Sequence, residues 1–268
     1  MADSESDRRD VVVRAAREGA GVAAGYFRTG VAVETKDGDT DVVTRADREA
    51  QERVIETIRA EFPDATVVGE EEGAPTTVPD DGPAFVVDPI DGTNNFVRGV
   101  PFWCTSVAAV VDGEPVAAAT VAPPTDEEFV ATDGPTRLNG DPVSVSDRDD
   151  PAVSTVAPTL WWDFDRRDEY AAATEGVVDR FADLRRYGSA QLSLGYVAAG
   201  ALDGLFSNVY GNPWDTVAGV HLVRQAGGAA TGVEDERWRH DSKGLVVSND
   251  RIHDEVLAAA RGAEARRD

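Results

Sequence analysis

Apolar and small residues recur at helical spacing over 7–28, where Val11, Ala15, Val22 and Tyr26 fall on one stripe. The same period returns over 46–62, with Ala50, Val54, Ile58 and Phe62 in line and with Thr44 and Asp47 as start signals. Two apolar runs follow, "ATVVGEEEG" at 65–73 and "AFVVDPIDGT" at 84–93. Both read as strands that run into acids. From 102 to 146 the pattern is β-rich, and Asp112-Gly113 in "VVDGEPV" predicts a hairpin turn.

After about residue 150 strands and helices alternate. "VSTVAPT" reads as a strand and 167–182 as a helix. "DLRRYG" is a strand, and "SAQLSLGYVAAG" a helix with Leu192 and Tyr196 on one face. "LDGLFSN" is a strand, and "PWDTVAGVHLVRQAGG" a helix closed by Gly227-Gly228. "GLVVSND" is a strand, and 251–262 the final helix. The chain thus divides into an α+β half, 1–150, and an α/β half, 151–268, with "SDRDDPAVS" at the boundary. No internal repeat is visible.

Charge changes the picture. Lys and Arg total 26 against 50 Asp and Glu, a net −24, and Lys36 and Lys243 are the only lysines. The acids alternate with apolar patterns, so they coat a fold and do not form a disordered tail. A carboxylate-rich surface repels nucleic acid and anionic membrane, and with so little lysine it resembles that of halophilic proteins, a merely acidic mesophilic protein being the alternative. Cys104 is the only cysteine, so no internal disulfide can form. With His221, His240 and His253 scattered, no zinc spacing appears. The N-terminus "MADSESDRRD" is unlike a signal peptide, and no apolar run approaches a membrane span. A cytoplasmic location is expected.

The acids at strand ends carry the chemistry. A single Asp in a Gly- and Asn-rich loop is usually a turn former or cap. Here Glu70, the Asp88 and Asp91 pair, and Asp215 stand at three different element ends. Two carboxylates about 5 Å apart repel by roughly 3 kcal/mol at an effective dielectric near 20. A converging set therefore needs protons or cations, and oxygen ligands without His or Cys suit Mg²⁺ or Mn²⁺, which share coordination with phosphate. "GTNN" then offers backbone N–H groups at a helix start for a phosphate. Two rival phosphate chemistries fit poorly. "DPIDGT" spaces its acids one residue too far for an aspartyl-phosphate enzyme, and no P-loop motif occurs.

At these residues the chain resembles the inositol monophosphatase family, a group of Mg²⁺-dependent, lithium-sensitive phosphatases. "DPIDGTNNFVRGVPFW" is similar to its first signature and "PWDTVAGVHLVRQAGG" to its second. "GEEEG", "KDGDTDVVTRADREA" and "YGSAQLSLGYVAAGALDGLF" match three further elements in family order, so the likeness covers nearly the whole chain.

The resemblance implies a layered αβαβα sandwich with the site between the halves, and in-line attack of water on phosphorus without a covalent intermediate. It implies one metal at Glu70, Asp88 and the carbonyl of Ile90, a second at Asp88, Asp91 and Asp215, and a third, weaker one sharing Glu70. Two or three Mg²⁺ ions are thus expected, with Mn²⁺ as a substitute. Glu71 would stand behind these ligands. Thr93 and Asp47, with Glu70, would orient or deprotonate the water. Gly92, Thr93, Asn94, Ser189, Asn208 and Asp215 would meet the substrate.

The expected substrate is a small polyol or sugar phosphate, inositol-1-phosphate first, acted on by a homodimer. Inositol-specific members usually carry an acid where this chain has Asn208. Fructose 1,6-bisphosphate is the alternative, and Arg185 or Arg186 could meet its second phosphate, although two surface arginines at a strand end satisfy the same pattern. An inactive metal- or phosphate-binding relative is the remaining reading. Trp161-Trp162 suggests a hinge or a dimer contact rather than a substrate platform.

Overall fold

The computed structural model describes residues 5–29, 33–35, 42–71 and 73–267. Lys36 and the start of the "KDGDTDVVTRADREA" element, 36–41, lie outside the described residues. In chain order the elements are α1 (Glu5–Tyr26), β1 (Val33–Thr35), β2 (Val42–Thr44), α2 (Arg45–Arg59), β3 (Thr66–Gly69), β4 (Pro83–Asp91), α3 (Thr93–Val97), β5 (Cys104–Val111), β6 (Glu114–Ala122), β7 (Glu127–Ala131), β8 (Arg137–Leu138) and β9 (Asp141–Pro142). They continue with β10 (Thr155–Pro158), α4 (Arg167–Arg180), β11 (Asp183–Leu184), α5 (Ala190–Ala198), β12 (Gly204–Ser207), α6 (Pro213–Gln225), β13 (Ala229–Thr231), β14 (Leu245–Ser248) and α7 (His253–Glu264).

β3 to β9 form a seven-stranded sheet in sequence order, parallel at β3–β4 and antiparallel from β4 onward. The second sheet is five-stranded, β11-β10-β12-β14-β13, and mixed. Side chains alternate across each strand, and that alternation assigns the layers. Val67, Phe85, Val87, Val107 and Ala117 pack on Val11, Ala15, Val54 and Ile58 of α1 and α2. Their neighbours Val68, Val86, Ala108 and Ala118 pack the other way, on Leu192, Leu194, Val220 and Leu222 of α5 and α6. From the second sheet Ala157, Leu205 and Val247 join that middle core. Val156, Phe206 and Val246 point outward to Val177 of α4 and Val256 and Ala260 of α7. The order is helices, sheet, helices, sheet, helices: the expected αβαβα sandwich.

β4 has both faces covered, which is why its sequence is a continuous apolar run rather than an alternating one. Asp112 and Gly113 both take positive φ, the two-residue turn that the right-handed twist of a hairpin favours, and Val111 pairs with Glu114 across it. The expected strand at 183–188 is shorter than its pattern: β11 stops at Leu184. β13 was not anticipated, because its three residues follow directly on the Gly227-Gly228 helix stop. No helix of the described residues is long and apolar enough to cross a membrane.

Candidate metal centre

β4 is irregular where its acids lie. Asp88 pairs with Ser106 and Asp91 with Cys104, so three steps on β4 oppose two on β5. In a regular strand residues three apart point to opposite faces. The bulge at Pro89-Ile90 absorbs the odd residue, and the two carboxylates converge. The Pro89 carbonyl accepts from the Thr105 hydroxyl at 2.7 Å, and the Thr93 hydroxyl oxygen lies 3.0 Å from the Ile90 carbonyl.

Asp215 arrives from the second half as the third residue of α6. Its Oδ2 accepts from the Asn212 N–H at 3.1 Å, closing a capping box that fixes the side chain at the helix mouth. Among the described residues, Asp88, Asp91 and Asp215 each offer an oxygen, and these atoms lie within 4.8 Å of one another. Burial, then the charges of Glu70, Asp91, Asp215 and Asp47, push the Asp88 carboxyl well above the usual range. Burial, then Asp91, push Asp215 up to about 7. Asp91 is also raised by burial, against the hydrogen bonds it accepts.

These donors fit a hard divalent cation. Oδ1 of Asp88 is buried and has no hydrogen-bond partner among the described residues, which leaves it available as a ligand. An all-oxygen set with mutually repelling charges selects Mg²⁺ or Mn²⁺ over soft metals.

Glu70 follows β3 and lines the cleft. Its turn is pinned from α2: Gln51 Oε1 accepts from the Glu71 N–H at 3.0 Å, and Gln51 Nε2 donates to the Glu71 carbonyl at 3.3 Å. Glu71 itself is buried and does not line the cleft. Asp47, in the first turn of α2, is buried and accepts from the Thr93 hydroxyl at 3.3 Å. Gly92 precedes α3 with φ 94°, and a Cβ there would meet the Phe102 carbonyl at 2.9 Å. Glycine therefore lets the chain turn from Asp91 into Thr93 and Asn94, and all three of Gly92, Thr93 and Asn94 line the cleft.

Two expected substrate contacts lie elsewhere. Ser189 is buried behind Asp91, with its hydroxyl donating to Asp91 Oδ2 at 2.5 Å. The N–H groups of Ala190 and Gln191 donate to the same carboxylate at 3.1 and 2.6 Å. The start of α5 thus serves as an anion cradle for a side chain, with Ser189 as its cap. Asn208 is buried as well. It accepts from the Trp162 indole at 2.7 Å and donates to Glu169 and Glu264. An acid there would face two carboxylates, whereas the amide can donate to both.

The cleft has a volume of about 970 Å³. Glu70, Asp91, Thr93 and Asp215 line it, as do Trp162, Arg167, Tyr170 and Arg186. Trp162 lines the cleft and stacks on Tyr170 at 4.9 Å. Arg185 pairs with Asp183 outside the cleft. Asn95 was not singled out from the sequence, yet its amide donates at 2.7 Å to the carbonyls of both Phe102 and Tyr187, tying α3 to the segment before α5.

A profile of the Inositol monophosphatase family matches residues 5–265. The Nus factor SuhB of Escherichia coli is 35% identical over 264 residues, which span 94% of this chain and 95% of that protein. The fructose-1,6-bisphosphatase/inositol-1-monophosphatase of Thermotoga maritima is 35% identical over 227 residues, 84% of each chain. Among solved structures, a Thermotoga maritima IMPase superposes with a TM-score of 0.87 at 32% identity, over 97% of this chain and 98% of that one. An inositol monophosphatase from Anabaena gives 0.83 at 28%, over 96% of each. The chain belongs to the inositol monophosphatase family.

Proposed function

We propose that the protein is a Mg²⁺-dependent phosphomonoesterase acting on a small polyol or sugar phosphate, inositol-1-phosphate first. The observation that carries this reading is the meeting of Asp88, Asp91 and Asp215 within 4.8 Å, beside the Thr93–Asp47 pair in an open cleft. Glu70, Asp88 and the Ile90 carbonyl would hold one ion, and Asp88, Asp91 and Asp215 a second. Bound there, Mg²⁺ would supply charge neutralisation and lower the pKa of a bound water. The chain's own groups do the rest. The Thr93 hydroxyl accepts from the attacking water and passes its proton to Asp47, which the buried first turn of α2 holds at 3.3 Å. The N–H groups at Gly92, Thr93 and Asn94 receive phosphate oxygens. Asp47 and Thr93 act on water only if α2 and α3 keep their spacing, and the bulge in β4 sets α3.

The cleft favours a second reading for the substrate. Arg98, Arg167 and Arg186 line it, cations that a second phosphate would use. This supports fructose 1,6-bisphosphate as the alternative, in line with the name of the Thermotoga relative. The SuhB name concerns transcription. A net charge of −24 opposes nucleic acid here, so we propose no such partner. Trp161 and Phe164 are 47% and 75% exposed and would suit a homodimer contact, which light scattering tests. For the substrate, phosphate release is measured across inositol-1-phosphate, fructose 1,6-bisphosphate and other sugar phosphates. Release from none of them overturns the reading.

A further inference from the structure

Gln191 is fully buried, and it bonds to both sides of the candidate metal centre. Its backbone N–H donates to Asp91 Oδ2 at 2.6 Å. Its side chain reaches the other way, into α6: Nε2 donates to the Trp214 carbonyl at 2.5 Å, and Oε1 accepts from the Gly219 N–H at 2.7 Å. Trp214 precedes Asp215 in the chain, and Gly219 is the residue whose N–H lies one helical turn beyond it. One amide therefore grips the peptide groups on both sides of Asp215.

The close approach of α5 to α6 depends on Gly219. A Cβ at that position would lie 2.8 Å from Gln191 Oε1 and 2.4 Å from Leu194 Cδ1. With glycine there, the carboxamide reaches the helix backbone. Asp88 and Asp91 are spaced by a single strand, β4. Asp215 comes from an element far along the chain, and its carboxylate repels that of Asp91. Something must hold α6 against that repulsion at the spacing a cation needs. A carboxamide anchored at both its nitrogen and its oxygen cannot swing, so it is suited to that task.

We propose that Gln191 is a positioning residue that fixes the Asp91–Asp215 spacing and so sets the affinity of the ion these two acids share. The inference rests on the reading of Asp88, Asp91 and Asp215 as metal ligands. Gln191 touches neither the ion nor the substrate. Loss of a residue that orients metal ligands typically weakens metal affinity about 10- to 100-fold.

The test uses Mn²⁺ as a probe, titrated into substrate-free protein and followed by electron paramagnetic resonance. Gln191→Met keeps the volume and removes both side-chain hydrogen bonds. Gly219→Ala keeps Gln191 and every carboxylate but forces α5 and α6 apart. Melting in EDTA checks that each variant folds, and either variant that folds decides the question. Both are expected to bind Mn²⁺ about tenfold or more weakly at one site. The substrate KM at saturating Mg²⁺ should stay within about twofold, because phosphate-binding groups are untouched. A merely structural Gln191 would lower the melting temperature and leave Mn²⁺ affinity unchanged. That result overturns the proposal while the metal reading stands. Wild-type protein that binds no Mn²⁺ overturns both.

Discussion

The Ser189 hydroxyl and the Asp91 carboxylate meet at 2.5 Å across the joint between the two sheets' layers. Both oxygens of Asp91 are accepting: Oδ1 from Ala190, Oδ2 from Ser189 and Gln191. Asp88, by contrast, keeps a buried oxygen with no partner among the described residues. The same substitution should therefore act differently at the two positions. Asp91→Asn turns an NH₂ toward one or two donors and should lose about 1–3 kcal/mol of stability in EDTA. Asp88→Asn removes a carboxyl that burial and four neighbouring acids already disfavour as an anion, so it should leave stability in EDTA unchanged or raised. Both variants should lose the rise in melting temperature that Mg²⁺ gives the wild type. Equal melting of the two variants in EDTA would contradict this account.

Asn95 should matter for stability without touching substrate. Its amide satisfies two carbonyls, Phe102 and Tyr187, on opposite sides of the joint. Asn95→Ala leaves both short of a donor and should cost about 2–4 kcal/mol, counting about 1–2 for each bond. Asn95→Asp should be worse, because a carboxylate would face the same two oxygens. Denaturant unfolding in molar KCl measures both. A loss below about 0.5 kcal/mol, the level of ordinary surface substitutions, would contradict it.

His221 gives a pH dependence of definite sign. It is buried on α6, and desolvation, then the charges of Arg224 and Arg9, push its pKa down to about 4. The folded protein thus holds it neutral, while the unfolded chain protonates it near its ordinary 6.5. Its contribution is fully present above about 6.5 and is lost as pH falls from there toward 4. The full loss is about 3 kcal/mol on the scale of 1.36 kcal/mol per unit. The clustered acids Asp88 and Asp215 have raised values and act with opposite sign, so the comparison must be made against a variant. His221→Asn should show less loss of stability than the wild type between pH 7 and 4.5. Parallel curves would contradict the assignment.

Salt should help both folding and catalysis. The chain of charge −24 must bind an anion. At 0.01 M salt the Debye length is ~30 Å and the whole surface repels the substrate, whereas at 1 M it is ~3 Å and only the cleft is felt. Self-repulsion of the fold is screened over the same range. Melting temperature and kcat/KM should both rise from tenths of molar to molar KCl with Mg²⁺ saturating. Highest values at the lowest salt would contradict the halophilic proposal and leave the phosphatase proposal standing.

The helical stripes of α1 and α2, the Asp112-Gly113 turn and the order of strands and helices after residue 150 were legible, because each is a local period or a local backbone demand. So were the acids, since carboxylates at three element ends need a common reason. The β4 bulge was not legible. Its pairing register lies in the partner strand, and "DPID" looks the same with or without it. Ser189 and Asn208 were expected in the cleft and are buried behind it. A polar side chain carries no sequence mark of which way it faces. Gln191 and Asn95 were missed for the same reason: their partners are carbonyls and amides of distant segments. Charged Asp183 and Arg185 flank Leu184, so the apolar pattern there was too short to show where β11 ends.

The most direct test is phosphate release by purified protein in molar KCl, from inositol-1-phosphate and a panel of sugar phosphates, in EDTA and after Mg²⁺ is restored, with Asp215→Asn in parallel. Release should be absent in EDTA, return with Mg²⁺, and fall in the variant by about 10³-fold or more, the scale of losing a group that stabilises transition-state charge. Release that persists in EDTA, or that the Asp215 variant matches, would contradict the claim that these carboxylates build a metal-dependent phosphatase.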